Sequence, residues 1–195
     1  MNKSYYFPTV MSSEINLELA NTMLPLAQQF LADPLLLTWT WGYKNTYTTN
    51  HGLERHQEMQ PFVNYILLRA QEFLTSSGYD SARINLGIQL FVSEMNPGDK
   101  HGLHTHPNCI ISGVFYLAVP EGSSSIKFRD PRPFRNTLAL PILQDTLENW
   151  VWVHIDPEPG LLLMWPSWLE HEVPVNQAQG RITLVFNLAW LGQGD

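Results

Sequence analysis

Residues Ile84–Ser93 read INLGIQLFVS, and this stretch decides the class of fold. Its apolar side chains stand at every second position and alternate with asparagine, glycine, glutamine and serine. Because successive side chains of a β-strand point to opposite faces of a sheet, the alternation predicts a long strand with one buried face. The chain beyond residue 80 is therefore expected to consist mainly of strands.

Shorter apolar stretches follow, and turn residues rather than helical patterns separate them. They are Ile110–Val119, Ser125–Phe128, Val151–Ile155, Leu161–Trp165 and Ile182–Ala189. The absence of helical periodicity between them excludes a parallel α/β sheet and favours an antiparallel sandwich or barrel. The fold class is mainly β, with helices confined to the first part of the chain.

Two helices are predicted before the strands. The first is expected to be capped by Ser12 or Ser13 and to end at Asp33-Pro34, and its apolar face comprises Leu19, Met23, Leu26, Ala27 and Phe30. The second starts near Pro61, ends before Gly78, and presents the stripe Phe62, Val63, Ile66, Leu67, Ala70, Phe73 and Leu74. Both are expected to pack on one outer face of the strands, behind a short N-terminal arm at residues 5–10.

Length and composition predict a single domain over 1–195, with an arm and supporting helices in 1–80 and the strand core in 81–195. The net charge of -7 and the lack of any Lys/Arg cluster argue against a nucleic-acid partner. Cys109 is the single cysteine, so no intrachain disulfide forms, which fits a cytoplasmic location. No apolar run is long enough to span a membrane.

The stretch around His104 and His106 is a candidate metal site. Two histidines two apart on one strand would share a face, and His171, 65 positions after His106, would complete three ligands from a neighbouring strand. Neutral imidazoles suit Fe, Zn, Cu or Ni, and three facial ligands leave open positions for substrate and oxygen chemistry. The alternative is that these histidines are packed or exposed and bind no metal. His101 is a fourth candidate ligand. Asn108 would be a ligand if His106 were the first residue of the His-x-Asn pair.

Arg181 and Thr183, ten and twelve positions after His171, form a candidate anion-binding site. A guanidinium holds a carboxylate bidentately, and a hydroxyl on the same strand face can donate to the same group. The residues that follow Arg181 are apolar, which predicts an inward side chain rather than a surface salt bridge. No acidic residue follows closely, so an acidic ligand is expected.

These residues resemble the Fe(II)- and 2-oxoglutarate-dependent oxygenases, and in particular a bacterial and phage group with little characterisation. The matching segments are His104-Thr105-His106-Pro107-Asn108, Ser112–Leu117, Phe128–Arg132, Trp165-Pro166-Ser167-Trp168 with His171, Arg181-Ile182-Thr183, and Phe186-Asn187-Leu188. Phe7-Pro8 and the two helices are also similar, so the resemblance covers most of the chain.

The resemblance implies a double-stranded β-helix, the jelly roll of cupin-like proteins. It implies that His104, His106 and His171 bind Fe(II) and that Arg181 and Thr183 hold the far carboxylate of 2-oxoglutarate. This sequence departs from the usual His-x-Asp/Glu pattern, because His106 stands at the carboxylate position.

The implied reaction consumes O2 and 2-oxoglutarate, releases succinate and CO2, and hydroxylates an unidentified small-molecule or protein substrate. Tyr116, Asn108 and Ser112 are expected to line the co-substrate pocket, with packing roles as the alternative. Trp165, Trp168 and Trp190 are expected in the core, with a platform for the substrate as the alternative. Pairing of the N-terminal arm between subunits would give a homodimer.

Two other interpretations remain. A cupin-type metal enzyme or metal-binding protein would use the histidines without 2-oxoglutarate and would require neither Arg181 nor Thr183. A jelly-roll binding module for sugars or proteins would carry incidental histidines. A cavity that joins the histidines to Arg181 and has room for a five-carbon diacid would favour the oxygenase.

Overall fold

The computed structural model describes residues 11–12, 15–47, 52–132, 140–144, 146 and 149–193. The predicted arm at residues 5–10, with Phe7-Pro8, lies outside these ranges, as do Ser13 and Glu14. The prediction of an arm at residues 5–10 remains a prediction.

Two α-helices precede the long strands. Helix α1 spans Leu17–Ala32 and helix α2 spans Gln60–Ser76. The predicted serine cap of α1 is wrong, because the Asn16 side chain accepts a hydrogen bond from the Leu19 backbone at 3.0 Å. Asparagine is as good a cap as serine, so composition alone did not separate the two. Asp33 ends α1 and Pro61 lies in the first turn of α2, both as predicted.

Ten strands are present within the described ranges, all paired antiparallel. They are β1 Met11–Ser12, β2 Lys44–Asn45, β3 Ile84–Met95, β4 His101–His104, β5 Ile111–Ala118, β6 Ile126–Arg129, β7 Trp152–Ile155, β8 Leu162–Pro166, β9 His171–Val173 and β10 Arg181–Gln193. One sheet has the order β1-β8-β5-β10-β3-β2 and the other β4-β9-β6-β7. Strands β4 and β9 are the strands expected to carry His104 and His171, whereas β1 and β2 have two residues each and give no periodic signal.

The period-two pattern of β10 separates the two sides of the larger sheet. Ile182, Leu184, Phe186 and Leu188 join the core beneath the helices. Arg181, Thr183, Val185 and Asn187 occupy the alternate positions and line a cavity on the opposite face. The same holds for β3, whose polar positions Gln89 and Ser93 face the cavity rather than solvent. The alternation therefore marks the site as well as the fold.

The core has two parts. The larger lies between both helices and the outer face of the six-stranded sheet, where the rings of Phe62 on α2 and Phe115 on β5 lie 5.3 Å apart. The smaller lies between the sheets around Tyr116, Phe128 and Trp165. The predicted mainly β fold, a double-stranded β-helix with two helices on one face, is confirmed. Among the described helices, none is long and apolar enough to cross a membrane.

Candidate functional site

A cavity of about 530 Å³ is lined by residues of both sheets. It contains the three histidines and Arg181 in one continuous space, together with Tyr116 and Thr183. A volume of this size lies within the range of small-molecule sites. It is the feature expected to separate an oxygenase from a cupin that does not use 2-oxoglutarate.

His104, His106 and His171 converge at the cavity wall. One ligand nitrogen of each lies within 4.8 Å of the other two. The Nε2 atoms of His106 and His171 are 3.2 Å apart. Metal–imidazole bonds of about 2.1 Å at right angles place two donor nitrogens about 3 Å apart, so this pair has the spacing of adjacent ligands.

Strand pairing brings the histidines together. His104 and His171 are direct partners in the β4–β9 ladder. The prediction that His104 and His106 lie on one strand is wrong, because β4 ends at His104. The chain instead turns there, with the His106 backbone N–H donating to the Ser167 carbonyl at 2.9 Å, which brings the imidazole back to the other two.

Backbone carbonyls fix the ring orientation of two of these histidines. His171 Nδ1 lies 2.9 Å from the Leu169 carbonyl oxygen, and His104 Nδ1 lies 2.7 Å from that of Gly102. A carbonyl oxygen only accepts, so Nδ1 carries the proton and Nε2 keeps its lone pair. This is the arrangement in which a metal-binding imidazole is held by its second nitrogen.

The histidines are also held neutral. Burial, with smaller contributions from neighbouring imidazoles, lowers the pKa of His171 to about 2 and that of His106 to about 4. Burial lowers the pKa of His104 as well. At neutral pH all three therefore offer lone pairs, which is the form that binds a metal.

His101 lies beside the cluster and has its own partner. Its ring stacks on His104 with centroids 3.9 Å apart and planes 9° from parallel. Its Nδ1 lies 2.9 Å from the Tyr43 hydroxyl oxygen. His101 thus buttresses a candidate ligand from the cavity side and is engaged with a tyrosine.

Arg181 is buried without an acidic partner. Its side chain is 3% exposed, and no acidic side chain in the described ranges lies within ion-pair distance of it. Its Nε has no hydrogen-bond partner, and Nη1 reaches only the Met95 sulfur at 3.5 Å. The guanidinium carbon lies 5.2 Å from the centre of the Tyr116 ring. A buried charge without a counter-charge is unfavourable, so this position calls for an anion.

Further hydroxyl groups lie close to Arg181. Thr183 and Ser93 share a hydrogen bond of 3.0 Å between their side-chain oxygens, and both line the cavity. The Tyr116 hydroxyl is buried beside the Arg181 guanidinium and makes no hydrogen bond of normal geometry within the described part of the chain. These hydroxyls and the guanidinium line one cavity, and together they could receive an anion.

Two of the predicted pocket residues do not line this cavity. Asn108 is exposed and adopts a φ of 64°, which asparagine tolerates in a turn. Ser112 is buried, and its hydroxyl bonds to Ser167 at 2.8 Å and to Asn187 at 2.9 Å. Ser112 thus braces Asn187, which does line the cavity.

Sequence reasoning missed one wall of the site. Trp41, Tyr43, Tyr47 and Phe91 line the cavity, although the stretch before residue 50 gave only an irregular pattern. The period-two spacing of Trp41, Tyr43 and Tyr47 was the available signal. The prediction that Trp168 and Trp190 are in the core is wrong, because each is 57% exposed, whereas Trp165 is buried against His171.

A comparison with protein families gives a match over residues 89–187, to the family described as "Putative 2OG-Fe(II) oxygenase". The matched segment contains the three histidines, Arg181 and Thr183. No curated protein sequence matches the chain.

Solved structures with the same fold include three relevant proteins. A Pseudomonas putida prolyl-4-hydroxylase matches with a TM-score of 0.66 and 11% identity, over 94% of each chain. An oxidoreductase of the 2OG-Fe(II) oxygenase family from Burkholderia pseudomallei matches with a TM-score of 0.61 and 13% identity, over 93% of this chain and 84% of the other.

The third is the non-heme alpha-ketoglutarate-dependent epimerase SnoN from nogalamycin biosynthesis, with a TM-score of 0.66 and 14% identity. The match covers 93% of this chain and 76% of that protein. At these identities the structural likenesses show a shared fold, whereas the family match spans half of the sequence. On that match, the chain belongs to the family of 2-oxoglutarate/Fe(II) oxygenases.

Proposed function

We propose that the cavity is the active site of an Fe(II)- and 2-oxoglutarate-dependent oxygenase that hydroxylates a substrate yet to be identified. One observation carries this proposal: three neutral imidazoles, with one ligand nitrogen of each within 4.8 Å of the other two, share a cavity with a buried arginine that has no acidic partner in the described ranges. A cupin-type metal protein that does not use 2-oxoglutarate has no need of that arginine.

The histidines fit the metal. Carbonyl partners at Nδ1 orient the rings of His104 and His171, and the three imidazoles would hold the ion from one side, so that co-substrate and O2 could reach it from the cavity. Because His106 replaces the usual carboxylate, the protein itself supplies no negative charge among these ligands. In this proposal the co-substrate carries the charge that neutralises the ion.

The residues around Arg181 fit the co-substrate. Arg181 would receive the far carboxylate bidentately, and the Thr183 and Tyr116 hydroxyls would donate to it. Iron and 2-oxoglutarate together supply the activation of O2, with release of succinate and CO2. The chain's part is to hold both groups, to orient the substrate and to exclude water from the reacting centre.

The test is succinate release from 2-oxoglutarate with Fe(II) and O2, in wild type and in the variants His171→Ala and Arg181→Ala. Wild type is expected to turn over slowly without its substrate, and both variants are expected to lose that turnover. Equal succinate release by wild type and both variants would contradict the proposal. His154→Ala is the matched control, because His154 is exposed and does not line the cavity.

A further inference from the structure

The cavity that contains Arg181 also has an aromatic wall. It consists of Trp41, Tyr43, Tyr47, Phe91 and His101, which all line the cavity. The Trp41 ring contacts all four other rings. Its centroid lies 4.8 Å from that of Tyr47, 5.0 Å from that of His101, 6.0 Å from that of Phe91 and 6.1 Å from that of Tyr43. Trp41 is 44% exposed whereas Phe91 and Tyr43 are buried and Tyr47 and His101 are half-buried, so Trp41 is the most exposed ring of the wall.

Trp41 is held in a backbone conformation that tryptophan rarely adopts. Its φ is 63° and its ψ is 12°, in the left-handed region. The loop around it is braced by Asn45, whose side-chain amide donates to the carbonyls of Thr40 and Tyr43, both at 2.9 Å. Backbone bonds between Thr38 and Asn45 close the loop. Strain of this kind persists where the surrounding structure enforces it, and it is concentrated at ligand-binding positions.

The charge of the cavity narrows what this wall can bind. Among the described residues that line it, Arg181 alone is an arginine, lysine, aspartate or glutamate. A cationic group would find no acidic side chain among these lining residues, and the buried guanidinium would repel it while no co-substrate is bound. An anionic group would meet the negative faces of aromatic rings. A neutral group with a ring of its own suits both constraints, because it can stack on the indole without a buried charge.

We infer that Trp41 is the platform for an uncharged, ring-bearing part of the substrate, which enters the cavity and stacks there beside His101. This inference deepens the proposed function and rests on it for the position of the reacting centre. The substrate class it names is a small molecule or side chain whose ring is neutral at physiological pH.

The test is binding of fluorinated ring probes, observed by 19F NMR on protein without metal or 2-oxoglutarate. The probes are 4-fluorobenzyl alcohol, which is neutral, and 4-fluorobenzylamine, which carries a positive charge on the same ring. Wild type is expected to bind the alcohol more tightly than the amine by about five-fold. Trp41→Gly is expected to weaken binding of the alcohol by about five-fold, whereas Trp41→Phe retains most of it.

Glycine is the informative replacement because it accepts the positive φ at position 41 and removes only the ring. Trp168→Gly is the control, since Trp168 is exposed and does not line the cavity. Equal binding of the alcohol by wild type and Trp41→Gly, tighter binding of the amine, or no binding of the alcohol by wild type would overturn the inference. Because no metal or co-substrate is present, these results are independent of whether the proposed reaction occurs.

Discussion

The Nε2 atoms of His106 and His171 lie 3.2 Å apart, at the separation of two neighbouring ligands on one metal ion. In His171 the proton is on Nδ1, where the Leu169 carbonyl accepts it, so Nε2 faces its neighbour with a lone pair. Two nitrogen lone pairs at this distance repel unless a proton or a cation lies between them. A neutral His106 with its proton on Nε2 satisfies the pair by donating to His171, and a bound metal ion would take the place of that proton.

Substitutions at position 106 separate ligand chemistry from packing. His106→Asp supplies a carboxylate oxygen at the position where related oxygenases usually carry one, and it is expected to retain Fe(II) or Ni(II) binding. His106→Ala supplies no donor and is expected to weaken binding by about ten-fold or more. Isothermal titration with Ni(II) measures both affinities. If alanine binds as tightly as histidine, His106 is not a ligand.

Arg181 is expected to destabilise the protein when no diacid is bound. Arg181→Met keeps most of the side-chain volume and removes a buried charge that has no acidic partner in the described ranges. The free energy of unfolding of the ligand-free protein should therefore increase by about 1 kcal/mol or more, and its melting temperature should rise. Added 2-oxoglutarate should then stabilise wild type and leave the variant unchanged.

Arg55→Met serves as the control for that experiment, because the Arg55 side chain is 74% exposed. It is expected to change stability by less than about 0.5 kcal/mol. A fall in melting temperature on Arg181→Met, combined with equal stabilisation of both proteins by 2-oxoglutarate, would show that the cavity anion is not held by Arg181.

Tyr116 and Tyr65 offer a matched pair of hydroxyl deletions. Both hydroxyls are buried and make no hydrogen bond of normal geometry in the described part of the chain, but only Tyr116 lines the cavity. Tyr116→Phe is expected to raise the Kd for 2-oxoglutarate on Ni(II)-loaded protein by about two- to ten-fold, because one hydrogen bond is lost. Tyr65→Phe should leave the Kd unchanged. Equal Kd values for both variants would remove Tyr116 from the binding site.

The packing of helix α2 on the larger sheet is testable by stability alone. Phe62 is fully buried with its ring 5.3 Å from that of Phe115, so Phe62→Ala is expected to lower the free energy of unfolding by about 3–5 kcal/mol. Leu68 lies on the same helix and is 50% exposed, and Leu68→Ala should be nearly neutral. Chemical denaturation measures both. Similar values for the two variants would contradict the assigned core.

Sequence periodicity was sufficient for the long elements. Ile84–Ser93 lies within β3, and the stripe from Phe62 to Leu74 lies within α2, because both patterns run long enough to distinguish a period of two from a period of 3.6. The inward position of Arg181 followed from its apolar neighbours in the same strand. These features depend on local sequence alone.

The remaining features depend on tertiary contacts. His106 reaches the other two histidines through a turn fixed by the Ser167 carbonyl, rather than through the strand that its spacing suggested. The aromatic wall depends on Asn45, a buried side chain that braces a loop without regular structure. Local composition does not predict these hydrogen bonds. Ser167 is distant from His106 in the sequence, and Asn45 lies among other polar residues.

The central claim is that His104, His106 and His171 hold the metal to which 2-oxoglutarate binds. An anaerobic titration with Fe(II) and 2-oxoglutarate tests it most directly, because a 2-oxo acid that chelates Fe(II) gives a visible charge-transfer absorption. Wild type and the exposed-site control His154→Ala are expected to show the band, and alanine at any of the three histidines is expected to abolish it. Failure of wild type to develop the band, or its persistence in all three alanine variants, would contradict the claim.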